Sequence, residues 1–161
     1  MADVKITLEP VTADNWRACA ALTVHPGQQE FVNAVTHYLC MCHYGDLWQP
    51  LAVVSEGEVV GFCIWAIDDD RSRWIGGVVV DAARQRTGIG RAMITALLAR
   101  LSADPDCPNV ALSYVPENTA ARALYASLGF VETGEMEDDE IVARWTRPGT
   151  GGSGTDVGAT R

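Results

Sequence analysis

The most constraining stretch of this chain is a junction. An apolar run, "GGVVV" (76–80), is followed within a few residues by "RQRTGIGRAM" (84–93). Three consecutive valines read as a strand. Beyond the glycines, Ile89, Met93, Ile94, Leu97, Leu98 and Leu101 recur at helical spacing. Gly88 and Gly90, between the two, permit positive φ and carry no Cβ. The first N–H groups of a helix have no internal partner. The helix dipole favours an anion there, by roughly 0.3–1 kcal/mol when exposed and up to ~2 when partly buried. Arg86 and Arg91 add positive charge. The junction therefore predicts a phosphate or pyrophosphate cradle. It is not a P-loop, because no Gly-Lys-Ser/Thr follows. It is not a dinucleotide fingerprint either, because the third glycine is missing and the strand comes mid-chain.

The rest of the chain fits around this unit. "VKITLEPV" (4–11) alternates as a first strand, and "TADNWRACAALTV" (12–24) predicts a helix with Thr12 as its N-cap. "QQEFVNAVTHYLCMCHYG" (28–45) predicts a second helix, with Phe31, Val35, Leu39 and Cys42 along one side. "PLAVVSEGEVVGFCIWAI" (50–67) reads as a hairpin around Glu56-Gly57-Glu58. After the junction come a strand "NVALSYV", a helix "NTAARALYASLG", and a last pair, "FVETGEM" and "EIVARWTR". Strands and helices in this order predict an α/β (α+β) chain with one mixed sheet and helices on both faces. From Pro148 on, five glycines in fourteen residues leave nothing to bury, so 148–161 is expected to be a disordered tail and 1–147 the domain.

Composition narrows the partners. With 21 acidic and 12 basic residues the net charge is −9, which argues against nucleic acid and suits a cationic substrate. No apolar run is long enough for a membrane span, and "MADVKITLEP" lacks an export-signal pattern. Five cysteines without a framework read as reduced thiols, which predicts a cytoplasmic protein.

Gln85-Arg86-Thr87-Gly88-Ile89-Gly90 matches the acyl-CoA motif Q/R-x-x-G-x-G/A of the GNAT N-acetyltransferases. "GEVVGFCIW", "VVVDAARQRTGIG" and "PENTAARALYASLGFVETGE" also fall in that family's order. The chain resembles the family from about Val4 to Arg147, and most closely its bacterial polyamine and diamine acetyltransferase branch. The branch features are Val24, Gln28, Phe31 and Val32 early, and Leu124 to Glu135 late. The resemblance implies the GNAT fold, a mostly antiparallel central sheet. It implies acetyl-CoA as acyl donor, a small-molecule primary amine as acceptor, direct attack in a ternary complex, and no metal. A homodimer is a candidate assembly. The backbone of Val78, Val79 and Val80 would pair with the pantetheine arm. Gln85, Arg86, Thr87, Gly88, Ile89, Gly90 and Arg91 would hold the pyrophosphate, with Asn118 on the cofactor side. Tyr125 would stand near the sulfur as the catalytic acid. Gln28 and Glu30 are the acceptor-side candidates. Four positions depart from the pattern: Ala82 replaces a proline, Arg86 a glycine, and Gly76-Gly77 the charged residues of the branch. The last of these keeps an alternative open, an acyl-CoA-binding regulator with a degenerate acceptor site or an enzyme with a different acceptor or donor.

Tyrosine is a weak acid for this task. Passing a proton from a phenol near ~10 to a thiolate near ~8.5 runs uphill by roughly 2 kcal/mol, so a hydrogen bond to sulfur can suffice. Glu30 and Asp81 are candidate bases. Acidic residues from Glu135 to Glu140 suit a solvated turn that attracts a cation. His37, Cys40, Cys42 and His43 are soft-ligand types in one segment, but a helix spreads them around its axis and they cannot converge on one ion.

Overall fold

The computed structural model describes residues 3–149. Seven strands form one sheet: β1 Thr7–Pro10, β2 Gln49–Ser55, β3 Glu58–Ile67, β4 Arg73–Val80, β5 Val110–Tyr114, β6 Val131–Glu137 and β7 Glu140–Trp145. Four helices accompany them: α1 Trp16–Ala20, α2 Val35–Tyr44, α3 Ile89–Ser102 and α4 Thr119–Ser127. The strand order is β1-β2-β3-β4-β5-β7-β6. Every neighbouring pair is antiparallel except β4 and β5. This is the mixed, mostly antiparallel sheet expected from the sequence. The tail expectation falls, apart from Pro148 and Gly149, outside the described residues.

Alternation along the strands feeds two cores. Leu51, Val53, Cys63, Ile75 and Leu112 pack with α3 and α4 through Ile89, Met93, Ile94, Leu97 and Tyr125. Ala52, Phe62, Ile64 and Val79 pack on the other face with Cys19 of α1 and Val35 of α2. The β2–β3 hairpin closes through Glu56 at φ 51° and Gly57 at φ 78°. Positive φ at both central residues is the turn geometry whose twist matches paired strands.

Two helices begin later than their sequence patterns predict. α1 starts at Trp16, because Thr12 to Asn15 form a turn closed by the Asn15 side chain accepting from the Thr12 N–H at 2.7 Å. Asn15, not Thr12, is the cap residue. α2 starts only at Val35, after a 3-10 turn at Pro26–Gln28 and an extended Ala34 at ψ 147°. Phe31 has the helical spacing but lies in the irregular segment.

In β4 the alternation slips. Phe62 pairs with Val79 and Ile64 with Gly76, so Gly77 and Val78 together face Cys63 alone. This is a β-bulge, and Gly77 supplies its positive φ of 54°. Ile75 therefore packs toward α3 while Val79 packs toward α1 and α2. Pairing between β4 and β5 stops after Arg73–Val110 and Trp74–Ala111. From Ile75 onward the two strands diverge, and the sheet opens as a wedge.

Candidate active site

The wedge opens into a cavity of about 820 Å³. Its inner wall is Gly76, Gly77 and Val78 of β4, Leu112 to Val115 at the end of β5, and Asn118, Ala121 and Tyr125 of α4. Its outer part is lined from the segment before α2, from α2 itself, and from the β6–β7 turn. One continuous chamber thus joins the split edge of β4 to an acidic rim.

The glycine loop lies where the sequence placed it. Gly88 is the N-cap of α3 at φ 90°, and buried Ile89 anchors the first turn in the core. Arg86 has φ 61°, a left-handed conformation at the position where the family pattern has glycine. The Thr87 hydroxyl donates to the Arg84 carbonyl. Arg91 is steadied by Ser127 of α4 at 2.8 Å. The first N–H groups of α3 lack intrahelical partners, and with Arg86 and Arg91 beside them the arrangement favours an anion.

Gln28 and Gln85 are assigned different tasks by the sequence but meet in the structure. The Gln28 amide N–H donates to Gln85 Oε1 at 2.8 Å, and the Gln85 amide donates back to Gln28 Oε1 at 2.7 Å. Gln85 also donates to the Val80 carbonyl at 3.1 Å, and Gln28 accepts from the His25 N–H at 3.1 Å. The pair clamps the glycine loop to the segment that leads into α2. Neither amide lines the cavity, and exposed Glu30 does not line it either. Gln28→Ala is expected to leave the half-buried Gln85 amide short of partners, at a cost of about 1 kcal/mol. Thermal unfolding should fall by roughly 2–4 °C. An unchanged melting temperature would mean the clamp carries no stability.

The outer chamber is aromatic and acidic. A Cβ on Gly77 would lie 3.1 Å from the Tyr38 ring, and one on Gly76 would lie 3.3 Å from Trp48. The two glycines therefore admit aromatic rings against the β4 backbone, and the region is filled. Tyr38 accepts from the Asn33 N–H at 3.1 Å and stacks on Phe62. Trp74 lines the same chamber, and its buried Nε1 has no partner among the described residues. Asp68, Glu137, Asp138, Asp139 and Glu140 contribute the carboxylates, and among the described residues no lysine or arginine lines the cavity.

Tyr125 sits at the inner end. It is 7% exposed and packs between Tyr114 at 5.7 Å and Phe130 at 5.8 Å. Its hydroxyl has no hydrogen-bond partner among the described residues. Burial, followed by neighbouring Cys63 and Tyr114, pushes its ionisation well above the ordinary tyrosine range. Asn118 caps α4 by accepting from the Ala121 N–H at 3.3 Å. Val78 lines the cavity, Val79 is buried on the opposite core, and the Val80 carbonyl takes the Gln85 bond. Asp81 accepts from the Thr23 N–H at 3.2 Å and does not line the cavity.

Of the soft-ligand segment, His37 lines the cavity, Cys40 is exposed, and Cys42 packs in the core under α2. Among the described residues no three His, Cys, Asp or Glu side chains are grouped to hold a metal ion. Sequence reasoning missed Tyr38, Trp48, Trp74 and Ser113 as cavity residues, and it reached Glu140 only as part of an acidic turn. The signal for the two tryptophans was their place next to strands, where a core role is the ordinary reading.

The acetyltransferase (GNAT) family profile matches residues 12–130. The spermine/spermidine N(1)-acetyltransferase of Bacillus subtilis is 28% identical, covering 83% of this chain and 93% of that one. The fold superposes on spermidine N-acetyltransferase from Vibrio cholerae in complex with CoA and spermine. There the TM-score is 0.67 and the identity 18%, over 86% of this chain and 92% of that one. It also superposes on aminoglycoside acetyltransferase AAC(6')-Ib in complex with coenzyme A and kanamycin. That match has a TM-score of 0.71 and 19% identity, over 89% and 95% of the two chains.

Proposed function

The chain belongs to the acetyltransferase (GNAT) family, and from that premise we propose that it moves an acetyl group from acetyl-CoA to a primary amine of a small polycationic molecule. The observation that carries this reading is the single chamber. It runs from the split edge of β4 to a rim of five carboxylates, without one lysine or arginine among the described residues. A flexible thioester arm suits the first end, and an amine bearing further positive charges suits the second.

Each part has a task in this reading. The β4 backbone from Val78 to Val80, beyond the last pair with β5, takes the pantetheine arm as an added strand would. The amides and cations of Arg86 to Arg91 hold the pyrophosphate, Gln85 braces that loop, and Asn118 sets the start of α4 beside the arm. A backbone N–H of β4 meets the oxyanion. Tyr125 meets the departing sulfur. Trp48, Trp74 and Tyr38 desolvate the amine, which helps because a primary amine near pKa ~10.4 is neutral only about once in a few thousand molecules at pH 7. The domain is read as 1–147. The five cysteines are free, which suits a reducing compartment such as the cytoplasm.

The reading of a non-catalytic acyl-CoA binder rests on an empty region at Gly76-Gly77. With Trp48 and Tyr38 in that space it loses its main support. Thiol release from acetyl-CoA should be measured with spermidine, short diamines, aminoglycosides and peptide amines. Polycations should be turned over, with KM rising as salt screens the acidic rim. Silence across the whole panel in a protein that still binds acetyl-CoA would return it to the binder class.

A further inference from the structure

Ser113 has no part in the roles above and Glu140 has one only as a carboxylate of the rim, yet the two form the closest polar pair in the chamber wall. Ser113 lies on β5 and Glu140 opens β7. Ser113 pairs with Val142, so the two share a face, and Glu140, two residues earlier, projects on that face as well. The Ser113 hydroxyl donates to Glu140 Oε2 at 2.5 Å. Both side chains are half-buried and both line the cavity. A serine hydroxyl has a single proton. With that proton committed to the carboxylate, the oxygen can offer only lone pairs to the chamber. Such an oxygen receives an N–H⁺ donor and rejects an acceptor.

We propose that Ser113 and Glu140 are the proton path of the incoming amine. The inference rests on the amine-acetylation reading. Ser113 accepts a hydrogen bond from the ammonium and is the group that touches substrate. Glu140 acts through it and takes the proton. In the step, one N–H bond of the ammonium breaks and its proton passes to Ser113 Oγ, while the serine's own proton passes to Glu140 Oε2. The nitrogen keeps its electron pair. That pair forms the C–N bond, the C–S bond breaks, and a remaining N–H proton ends on sulfur. Glu140 then releases its proton to water. Asp68, Glu137, Asp138 and Asp139 face the same space but are exposed. They raise the local concentration of cations. His37, Tyr38, Tyr114 and Tyr125 are the other titratable groups that line the chamber, and among the described residues none of these four hydrogen-bonds to Glu140.

The test compares wild type, Ser113→Ala, Glu140→Gln and the double variant from pH 6 to 10. The readouts are thiol release with the best amine, acetyl-CoA affinity and thermal unfolding. Glutamine keeps the shape and the bond to Ser113 but takes no proton. Glu140→Gln is expected to lower kcat about 10²-fold at pH 7. The deficit should shrink toward pH 10, where roughly a third of the amine is already neutral. KM for acetyl-CoA and the melting temperature should hold. Ser113→Ala should lose less, and the double variant should match Glu140→Gln, because residues of one path do not add. A deficit equal at all pH values, an additive double variant, or full activity in Glu140→Gln beside an active wild type would overturn the path alone. A wild type that binds acetyl-CoA and acetylates no amine would overturn the acceptor reading and the path with it.

Discussion

Tyr125→Phe is expected to lower kcat by about 10²–10⁴ while thermal stability and acetyl-CoA affinity stay close to wild type. The ring is the packing element. It sits between Tyr114 and Phe130 and is 7% exposed, and phenylalanine keeps every one of those contacts. The hydroxyl is different. It has no partner among the described residues, so removing it breaks no internal hydrogen bond. Tyr125 lines the chamber, so its hydroxyl is open to a bound group. In the proposed function that group is the departing sulfur.

The raised ionisation of Tyr125 shapes how it acts. Full proton transfer to sulfur becomes harder than the roughly 2 kcal/mol set by ordinary pKa values. The same apolar surroundings raise thiols as well: burial pushes Cys63, which weighs on Tyr125, up to about 12. Donor and acceptor thus shift together, and a strong hydrogen bond to the sulfur is enough. Because the phenol stays protonated well beyond pH 10, its contribution should be constant from pH 7 to 10. The Tyr125→Phe deficit should be flat with pH, whereas the Glu140→Gln deficit should close. Normal turnover with a lowered melting temperature would make Tyr125 a core residue and nothing more.

The sequence was informative wherever chemistry and chain proximity coincide. Gly88, Ile89 and the apolar positions of α3 are contiguous, and their spacing alone predicts the strand, loop and helix found there. The β2–β3 hairpin was legible for the same reason, since Gly57 marks its turn. What escaped was set by register. Ser113 and Glu140 lie 27 residues apart and become neighbours only because β5 and β7 pair with Ser113 opposite Val142. Gly76-Gly77 read as a missing wall, because no spacing rule says that Trp48 and Tyr38 fold back over them. The late start of α2 escaped for a third reason. Phe31, Val35 and Leu39 keep the helical period, but the segment from His25 to Gln28 is held by the Gln28–Gln85 clamp, and the chain turns before it can wind. Periodicity reports what a helix would bury and is silent about a long-range bond that forbids it.

The second large effect is expected at Gly88. Valine there should weaken acetyl-CoA binding by on the order of 10–10²-fold, the weight of about 2 kcal/mol for an anion at a partly buried helix N-terminus. Gly88 caps α3 at φ 90°, and a β-branched residue at that angle carries about 1–3 kcal/mol of strain. Its Cβ would also stand 3.2 Å from Val4 Cγ2, so that side chain must give by a few tenths of an ångström. Relief of the strain at φ 90° turns the backbone at Gly88 and with it the first-turn amides, which are what the pyrophosphate would meet. Stability alone could confuse the result, and Gly90→Ala separates the two effects. A Cβ on Gly90 would meet only Leu124 at 3.6 Å and Val80 at 3.8 Å, ordinary contacts. That variant should therefore fold as wild type and keep the amide geometry, and its affinity should change little. Calorimetry with CoA on both variants, below the melting temperature of each, reads the difference. If Gly88→Val is folded and binds as tightly as Gly90→Ala, the anion is held elsewhere and the glycine loop is only a corner between β4 and α3. If Gly88→Val alone loses affinity, the amides at the head of α3 carry the pyrophosphate, and the positive φ of Gly88 is what aims them.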